Sequence, residues 1–271
     1  MLSTTIPLFC EAVNSHFHNQ VVIVTGASSG IGKETALAFG RAGARVVLVA
    51  RRSEVLRQIA ADHPELRLLP LAVDITQPAA AAEIVAATLH EFGRIDILVN
   101  NAGIGLRAAV ADLKFADAQQ LMELNFFAVL RCTQAVLPVL RQQHRGQIVN
   151  ISSILGAIAT PRHAIYSASK FAVRALSDSL RLEVKRDGID VISILPGYTA
   201  TPFFANQIQT EGPDPNHFRM RGQTPAHVAQ VILRACRHRR REVTLSFICN
   251  VGHWAKRLVP GLVDWAIRRF V

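Results

Sequence analysis

Cysteine is scarce in these 271 residues: four, at Cys10, Cys132, Cys236 and Cys249, far apart and without a C-x-x-C pair. That spacing argues against a disulfide framework and a thiolate zinc site, and it suits a reducing compartment. Tyrosine and tryptophan are scarcer, two of each. Acidic residues are outnumbered, 20 against 30 basic ones, for a net charge of +10. No uninterrupted apolar run approaches the ~18 residues that suggest a membrane span. The start, M-L-S-T-T-I-P-L-F-C-E, lacks a basic segment and is broken by Glu11, so it reads as a poor secretory signal. The ten histidines form no H-E-x-x-H or other ligand set, so no metal is expected.

Half the residues are hydrophobic, enough for one large α/β domain with a full core. The expected organisation is an extension over 1–19, a domain over 20–250 and a basic extension over 251–271. A cytoplasmic protein is expected. Apolar, β-branched runs predict strands at Val21 to Thr25, Arg45 to Val49, Arg67 to Val73, Ile95 to Val99, Gln147 to Ile151, Ile189 to Leu195 and Val243 to Phe247. Helical patterns fall at Ile31 to Ala42, Ser53 to Ala61, Pro78 to Phe92, Asp117 to Gln143, His163 to Arg186 and Pro225 to Arg237. Continuous runs such as V-V-I-V suit strands covered on both faces, so the alternation predicts a doubly wound, mostly parallel sheet. Phe203 to Thr224 has no clear period and is expected to be a long mobile excursion, part of a substrate loop over about 198–224.

T-G-A-S-S-G-I-G, Thr25 to Gly32, joins the first strand to the first helix. Gly26 and Gly30 allow a tight turn, Gly32 allows close helix–strand contact, and the helix start offers N–H groups to a pyrophosphate. Ser28, Ser29 and Ile31 belong to the same turn. An acid ending the second strand would grip the ribose 2′-OH of NAD. Ala50 stands there instead, followed by Arg51 and Arg52, whose guanidinium groups suit a 2′-phosphate. NADP(H) is therefore preferred over NAD(H).

Tyr166 precedes Lys170 by four residues on a predicted helix, so the two share a face. A phenol with a reference pKa near 10 needs ~4 kcal/mol of help to lose its proton near neutrality, and a nearby ammonium plus an oxidised nicotinamide would supply it. Ser153 ends a strand thirteen residues before Tyr166, and Ser152 is its nearest competitor.

With these motifs the chain resembles the short-chain dehydrogenase/reductase family over Gln20 to Phe247. The resemblance rests on T-G-x-x-x-G-x-G at Thr25, Asp74, N-N-A-G at Asn100 to Gly103, Asn125, Ser153, Tyr166, Lys170, and P-G-x-x-x-T at Pro196 to Thr201. It implies a Rossmann-type domain with Tyr166 as acid/base. Lys170 would lower the tyrosine's pKa and hold the nicotinamide ribose, Ser153 would bind the substrate carbonyl, and Asn125 would support a proton-relay water. Asp74 would contact the adenine. Asn101, Ala102 and Gly103 would line the cofactor cleft, and Pro196, Gly197, Thr199 and Thr201 would meet the cofactor. The implied reaction interconverts a carbonyl and an alcohol.

Ile104, Leu155, His163 and Tyr198 are the candidate substrate contacts, with Leu106, Ile154, Phe203, Phe204 and Phe218 nearby. Most are apolar, which favours an apolar substrate; Arg107 and Arg162 argue instead for an anionic one. The resemblance also suggests a homodimer or homotetramer through the two long helices. Nine Lys and Arg against two acids, and both tryptophans, fall between Arg234 and the C-terminus. With the amphipathic 262–270 stretch, this suggests peripheral membrane contact, against the plainer reading of a solvated basic face beside packed Trp side chains. No nucleic-acid motif accompanies the charge, so no nucleic acid is expected. A non-catalytic NADP(H) sensor is the competing class, and it would be expected to lack part of the Asn, Ser, Tyr, Lys set.

Overall fold

Val-Val-Ile-Val-Thr forms β1 (Val21–Thr25), buried along its whole length because its alternate side chains serve two different cores. The computed structural model describes residues 16–203, 205, 207–209, 222–245, 255–256 and 258–270. β2 (Arg45–Ala50), β3 (Arg67–Ala72), β4 (Ile97–Asn100), β6 (Gly146–Ile151), β7 (Ile189–Leu195) and β9 (Glu242–Thr244) complete a seven-stranded sheet. Its order is β3-β2-β1-β4-β6-β7-β9, with every pairing parallel. The sheet is thus wholly parallel.

Val22, Val24, Val46 and Leu48 face a core shared with α1 (Gly30–Arg41), α2 (Ser53–Ala61) and α7 (Pro225–Arg237). Ile23, Val47 and Val49 face the opposite core, covered by α3 (Ala80–Phe92), α5 (Ala128–Gln142) and α6 (Ala164–Glu183). Period-two alternation between two apolar layers is why these strands read as continuous hydrophobic runs. Gly93 takes φ 71° at the end of α3 and turns the chain into β4.

The expected strand at Ile95 starts two residues later. Asp96 is diverted to a tie in which its carboxylate accepts from the Val21 N–H at 2.9 Å and from Arg94. The long helix expected from Asp117 is α4 (Phe115–Met122) running through a π turn, Glu123–Phe127, into α5. This continuous Phe115–Gln142 stretch is, among the described residues, the one helix long and apolar enough to cross a bilayer. Its apolar side chains Ala128, Cys132, Val136 and Leu140 are buried in the sheet's second core instead.

A small sheet escaped the sequence reading. β5 (Leu106–Arg107) pairs in parallel with β8 (Ile208–Gln209). Two-residue strands carry no period, so only the folded chain brings them together. The excursion is thereby tied down at Ile208, and again where Thr199 bridges Gln223, whose N–H donates to the Tyr198 carbonyl at 2.9 Å. Residues 210–221, Phe204 and Asn206, like 1–15, the 246–254 segment, Arg257 and Val271, lie outside the described residues; so do the predicted contact Phe218 and the far end of the last predicted strand. Helical residues Ala255, Lys256 and Leu258 come before Pro260, separated from it by a break at Val259. Pro260 opens α8 (Pro260–Phe270), at the first helical position where its missing N–H is harmless.

Candidate active site

β1 is flanked by β2 on one side and β4 on the other, so successive connections leave in opposite directions and open a crevice at the carboxyl ends of the strands. A cleft of about 1240 Å³ occupies that position. On one side lie Gly26, Ser28, Ser29, Gly30 and Ile31, with Arg51, Arg52 and Asp74; on the other lie Ser153, Tyr166 and Lys170.

The turn after β1 has the shape its glycines predict. Gly26 has φ 69°, and a Cβ there would lie 2.8 Å from the Ala102 Cα. A Cβ on Gly32 would fall 2.3 Å from the Gly26 carbonyl oxygen, so only glycine lets α1 start this close to the turn. The Ser29 side chain makes no capping bond, and no acid stands in the first helical turn. The helix start therefore keeps its N–H groups and its positive end for an anion. Arg52 leans over the turn, donating to the Ser28 hydroxyl at 2.8 Å, while exposed Arg51 lies close enough to Asp74 to help hold its carboxyl below the ordinary range. Burial opposes that shift at Asp74; the Thr76 N–H and hydroxyl, at 3.0 and 2.8 Å, outweigh it together with Arg51.

These observations fit a dinucleotide. Gly26 to Gly32 would take its pyrophosphate, Asp74 its adenine end and Lys170 its far ribose. Asn101, Ala102 and Gly103 floor the middle of the cleft, locked to the turn when the Asn101 amide donates to the Thr25 carbonyl at 2.9 Å. Pro196, Gly197, Thr199 and Thr201 close it from the other side, with Thr201 packed against Gly30.

Tyr166 and Lys170 stand one turn apart on α6, with the Lys170 ammonium nitrogen 5.8 Å from the phenol ring centre. Lys170 is buried and donates to the Ile151 carbonyl at 3.0 Å. Ser153, two residues past β6, lines the cleft with Tyr166 and acts on its phenol, whereas Ser152 is spent on the Lys170 carbonyl at 3.0 Å. Of the two serines, Ser153 is the one whose hydroxyl is not tied to the α6 backbone.

The acidification expected of Lys170 together with an oxidised nicotinamide starts from a phenol that the chain alone makes less acidic. Burial pushes the phenol up to about 12, opposed by the Ser153 hydrogen bond, and pushes the lysine down to about 8. Enclosure disfavours both charged forms.

Asn125 is fully buried in the π turn and does not line the cleft. Its side-chain oxygen accepts from the Ile104 N–H and its amide donates to the Ile104 carbonyl, both at 2.9 Å. It is a positioning residue for the floor strand; π turns of this kind recur at functional sites. A Cβ on Gly103 would lie 3.0 Å from this Asn125 oxygen and 3.6 Å from the Lys170 nitrogen, so the floor glycine brings backbone up to both.

Sequence reasoning missed the frame behind these groups. The Asn100 amide donates to the Asn150 oxygen at 2.9 Å, and the Asn150 amide donates to Ser177 on α6 at 2.8 Å. Both asparagines are buried, and they stand in register on adjacent strands. The available signal was an amide near the end of each apolar strand run.

Among the substrate candidates, Ile104, Ile154, Leu155, His163, Tyr198 and Phe203 line the cleft. The His163 ring sits 3.2 Å from the Thr160 hydroxyl and 3.1 Å from the Pro161 carbonyl. Phe203 lies with its ring centre 5.9 Å from that of Tyr166. Leu106 does not line the cleft; it packs in a separate apolar cluster with Leu121. Arg107 does line it and is buried, while Arg162 does not.

The short chain dehydrogenase family model matches residues 20–212. The chain belongs to the short-chain dehydrogenase/reductase family. Dehydrogenase/reductase SDR family member 7B of Bos taurus is 34% identical over 262 residues, spanning 92% of this chain and 81% of that one. Two solved structures, each 25% identical, share the fold. One is a 3-ketoacyl-(acyl-carrier-protein) reductase from Brucella melitensis complexed with NADH, with TM-score 0.78 over 84% of this chain and 97% of that one. The other is an alcohol dehydrogenase from Thermococcus sibiricus complexed with 5-hydroxy-NADP, with TM-score 0.75 over 84% and 96%. The chain is therefore a family oxidoreductase with a fold that binds nicotinamide cofactors.

Proposed function

We propose that this short-chain dehydrogenase/reductase interconverts a carbonyl and an alcohol with NADP(H), using Tyr166 as the acid/base. The observation that carries the reading is the Tyr166 phenol, sharing the cleft lining with Ser153 and one helical turn from Lys170, in the cleft that the glycine turn opens. A bound nicotinamide would supply or accept the hydride. The chain's residues do the rest. In reduction, the phenol gives its proton to the carbonyl oxygen, Ser153 orients that oxygen, and the Lys170 ammonium offsets charge left on the phenolate. A phenol held near 12 stays protonated through the neutral range, which is the form reduction needs. Oxidation needs the phenolate, and the positive ring of the oxidised cofactor is the charge that would stabilise it.

NADP(H) preference is supported by Ala50, Arg51 and Arg52 at the end of β2, where no carboxylate repels a 2′-phosphate. An apolar substrate is supported by Ile104, Ile154, Leu155, Tyr198 and Phe203 in the cleft lining. A homodimer or homotetramer through the long helices is supported by exposed Phe115 at the start of α4, Phe127 in the π turn, and Phe171 and Leu182 on α6. The cytoplasm is the proposed location, in keeping with buried, free Cys132 and Cys236. The test is a ketone and aldehyde panel followed by loss of NADPH absorbance and repeated with NADH. Turnover with NADPH, weaker with NADH, is expected. Turnover favouring NADH would overturn the cofactor assignment. Tight NADPH binding with no turnover anywhere in the panel would favour the sensor reading.

A further inference from the structure

The described C-terminal helix presents its apolar side to solvent. Leu258, Leu262 and Trp265 follow an i, i+4, i+7 spacing and form one stripe, with Val259 on its flank. They are 77%, 64%, 61% and 47% exposed. From Leu258 to Trp265 only Val263 is half-buried. Four of the molecule's large exposed apolar side chains thus crowd into eight residues, although surface apolar groups are usually scattered. The opposite side is polar, where Lys256 pairs with Asp264.

The charge around the stripe has one sign. In sequence, Lys256, Arg257, Arg268 and Arg269 flank it with the single acid Asp264, and Arg237, Arg239, Arg240 and Arg241 precede it. An apolar stripe rimmed by basic residues, carrying a tryptophan, matches the boundary of an anionic bilayer: aliphatic side chains enter the acyl region, the indole sits at headgroup depth and the cations meet lipid phosphates. An 11-residue helix is about 16 Å long, half the ~30 Å hydrocarbon core, so it would lie along the surface rather than span it.

We propose that Leu258 to Phe270 is a monotopic docking element that holds the protein on an anionic membrane surface. The proposal is independent of the reaction assigned to the cleft. It is tested with the full chain in flotation assays, using phosphatidylcholine vesicles with and without phosphatidylglycerol. The protein is expected to float with the anionic vesicles, stay behind with neutral ones and be released by high salt. The doubly substituted chain, Leu262→Glu with Trp265→Glu, should lose about tenfold or more of its bound fraction at unchanged melting temperature, since a charge at this depth opposes insertion. In a Trp254→Phe chain, the remaining Trp265 emission should shift to the blue on anionic vesicles. Wild-type protein that stays with the buffer fraction, or a double variant that floats equally well, would overturn the proposal. So would sedimentation showing that the double substitution dissolves a dimer while flotation is unaltered, because the stripe would then belong to a second copy of the chain.

Discussion

The two walls of the cleft are built differently. The cofactor wall hangs on strand ends: the glycine turn leaves β1, Arg51 and Arg52 leave β2, and Asn101 to Gly103 leave β4. They are cross-tied by the Thr25 hydroxyl, which accepts from the Asn101 and Ala102 N–H groups at 3.0 and 3.1 Å. The substrate wall is made of connections: the β5–β8 pair, the Ser153 to His163 segment and the chain after Pro196. Strand ends in a packed sheet fix positions closely, whereas loops move and vary more readily. The contrast separates what the site does from what it does it to. On the proposed reading the rigid wall holds the cofactor and α6 the proton, while Ser153 and substrate selectivity belong to the adaptable wall.

The largest effect should come from the group facing both walls. Tyr166→Phe removes the proton and leaves the ring packing against Phe203. A fall of about 10³-fold in kcat is expected for general acid–base loss, with NADPH affinity unchanged in fluorescence titration. Residual turnover within tenfold of wild type would mean that the proton comes from elsewhere. On the cofactor wall, Arg51→Ala with Arg52→Ala should weaken NADPH binding by about 10- to 100-fold, the worth of charge-assisted hydrogen bonds, and spare NADH. Arg52 also braces Ser28, so an equal loss for both cofactors would mean that the pair only holds the turn.

The rigid wall was also the legible one. V-V-I-V-T followed by T-G-A-S-S-G-I-G carries its own geometry, because turn, helix start and strand adjoin in sequence. The same holds for Tyr166 and Lys170, one turn apart on one helix. Legibility failed where partners are distant. Nothing local marks Leu106 and Arg107 as a strand, since their partners are Ile208 and Gln209. The side-chain bonds of Asn125 were not legible for a related reason: their partner, Ile104, is 21 residues away. How far enclosure raises the Tyr166 phenol is a property of the whole fold, which the spacing to Lys170 does not carry.

Burial also makes a pH prediction that tests how tightly α6 is held against the rigid wall. Lys170 titrates near 8 when folded, against 10.5 for its ordinary value, so between these pH values the unfolded chain binds more protons. Native stability contributed at this site therefore rises with pH across that window. Relative to Lys170→Met, wild-type unfolding free energy without cofactor should gain on the order of 2 kcal/mol from pH 7 to pH 10, read by urea denaturation. The series stops at pH 10 because Tyr166, raised by burial, pulls the other way above its unfolded value. Parallel pH curves for the two proteins would show that the ammonium reaches water in the folded state.

The smallest effect belongs to the adaptable wall. Phe203 packs at a 59° tilt against Tyr166 and lines the cleft, but it comes from the chain after Pro196 rather than from the sheet. Removing its ring deletes apolar surface at the substrate end without touching the proton path. Phe203→Ala should raise KM for an apolar ketone about three- to tenfold, in line with the ~0.5–1.5 kcal/mol attributed to an aromatic contact, and should leave kcat within about twofold. A drop in kcat at constant KM would move Phe203 to the other side of the comparison, as a brace that orients the phenol. Repeating the measurement with a ketone that carries a carboxylate brings in Arg107, a second buried cationic side chain in the cleft lining besides Lys170. If the adaptable wall selects by apolar contact, the charged ketone should be the poorer substrate, and the Phe203→Ala penalty should shrink with it because less of its binding depends on the ring.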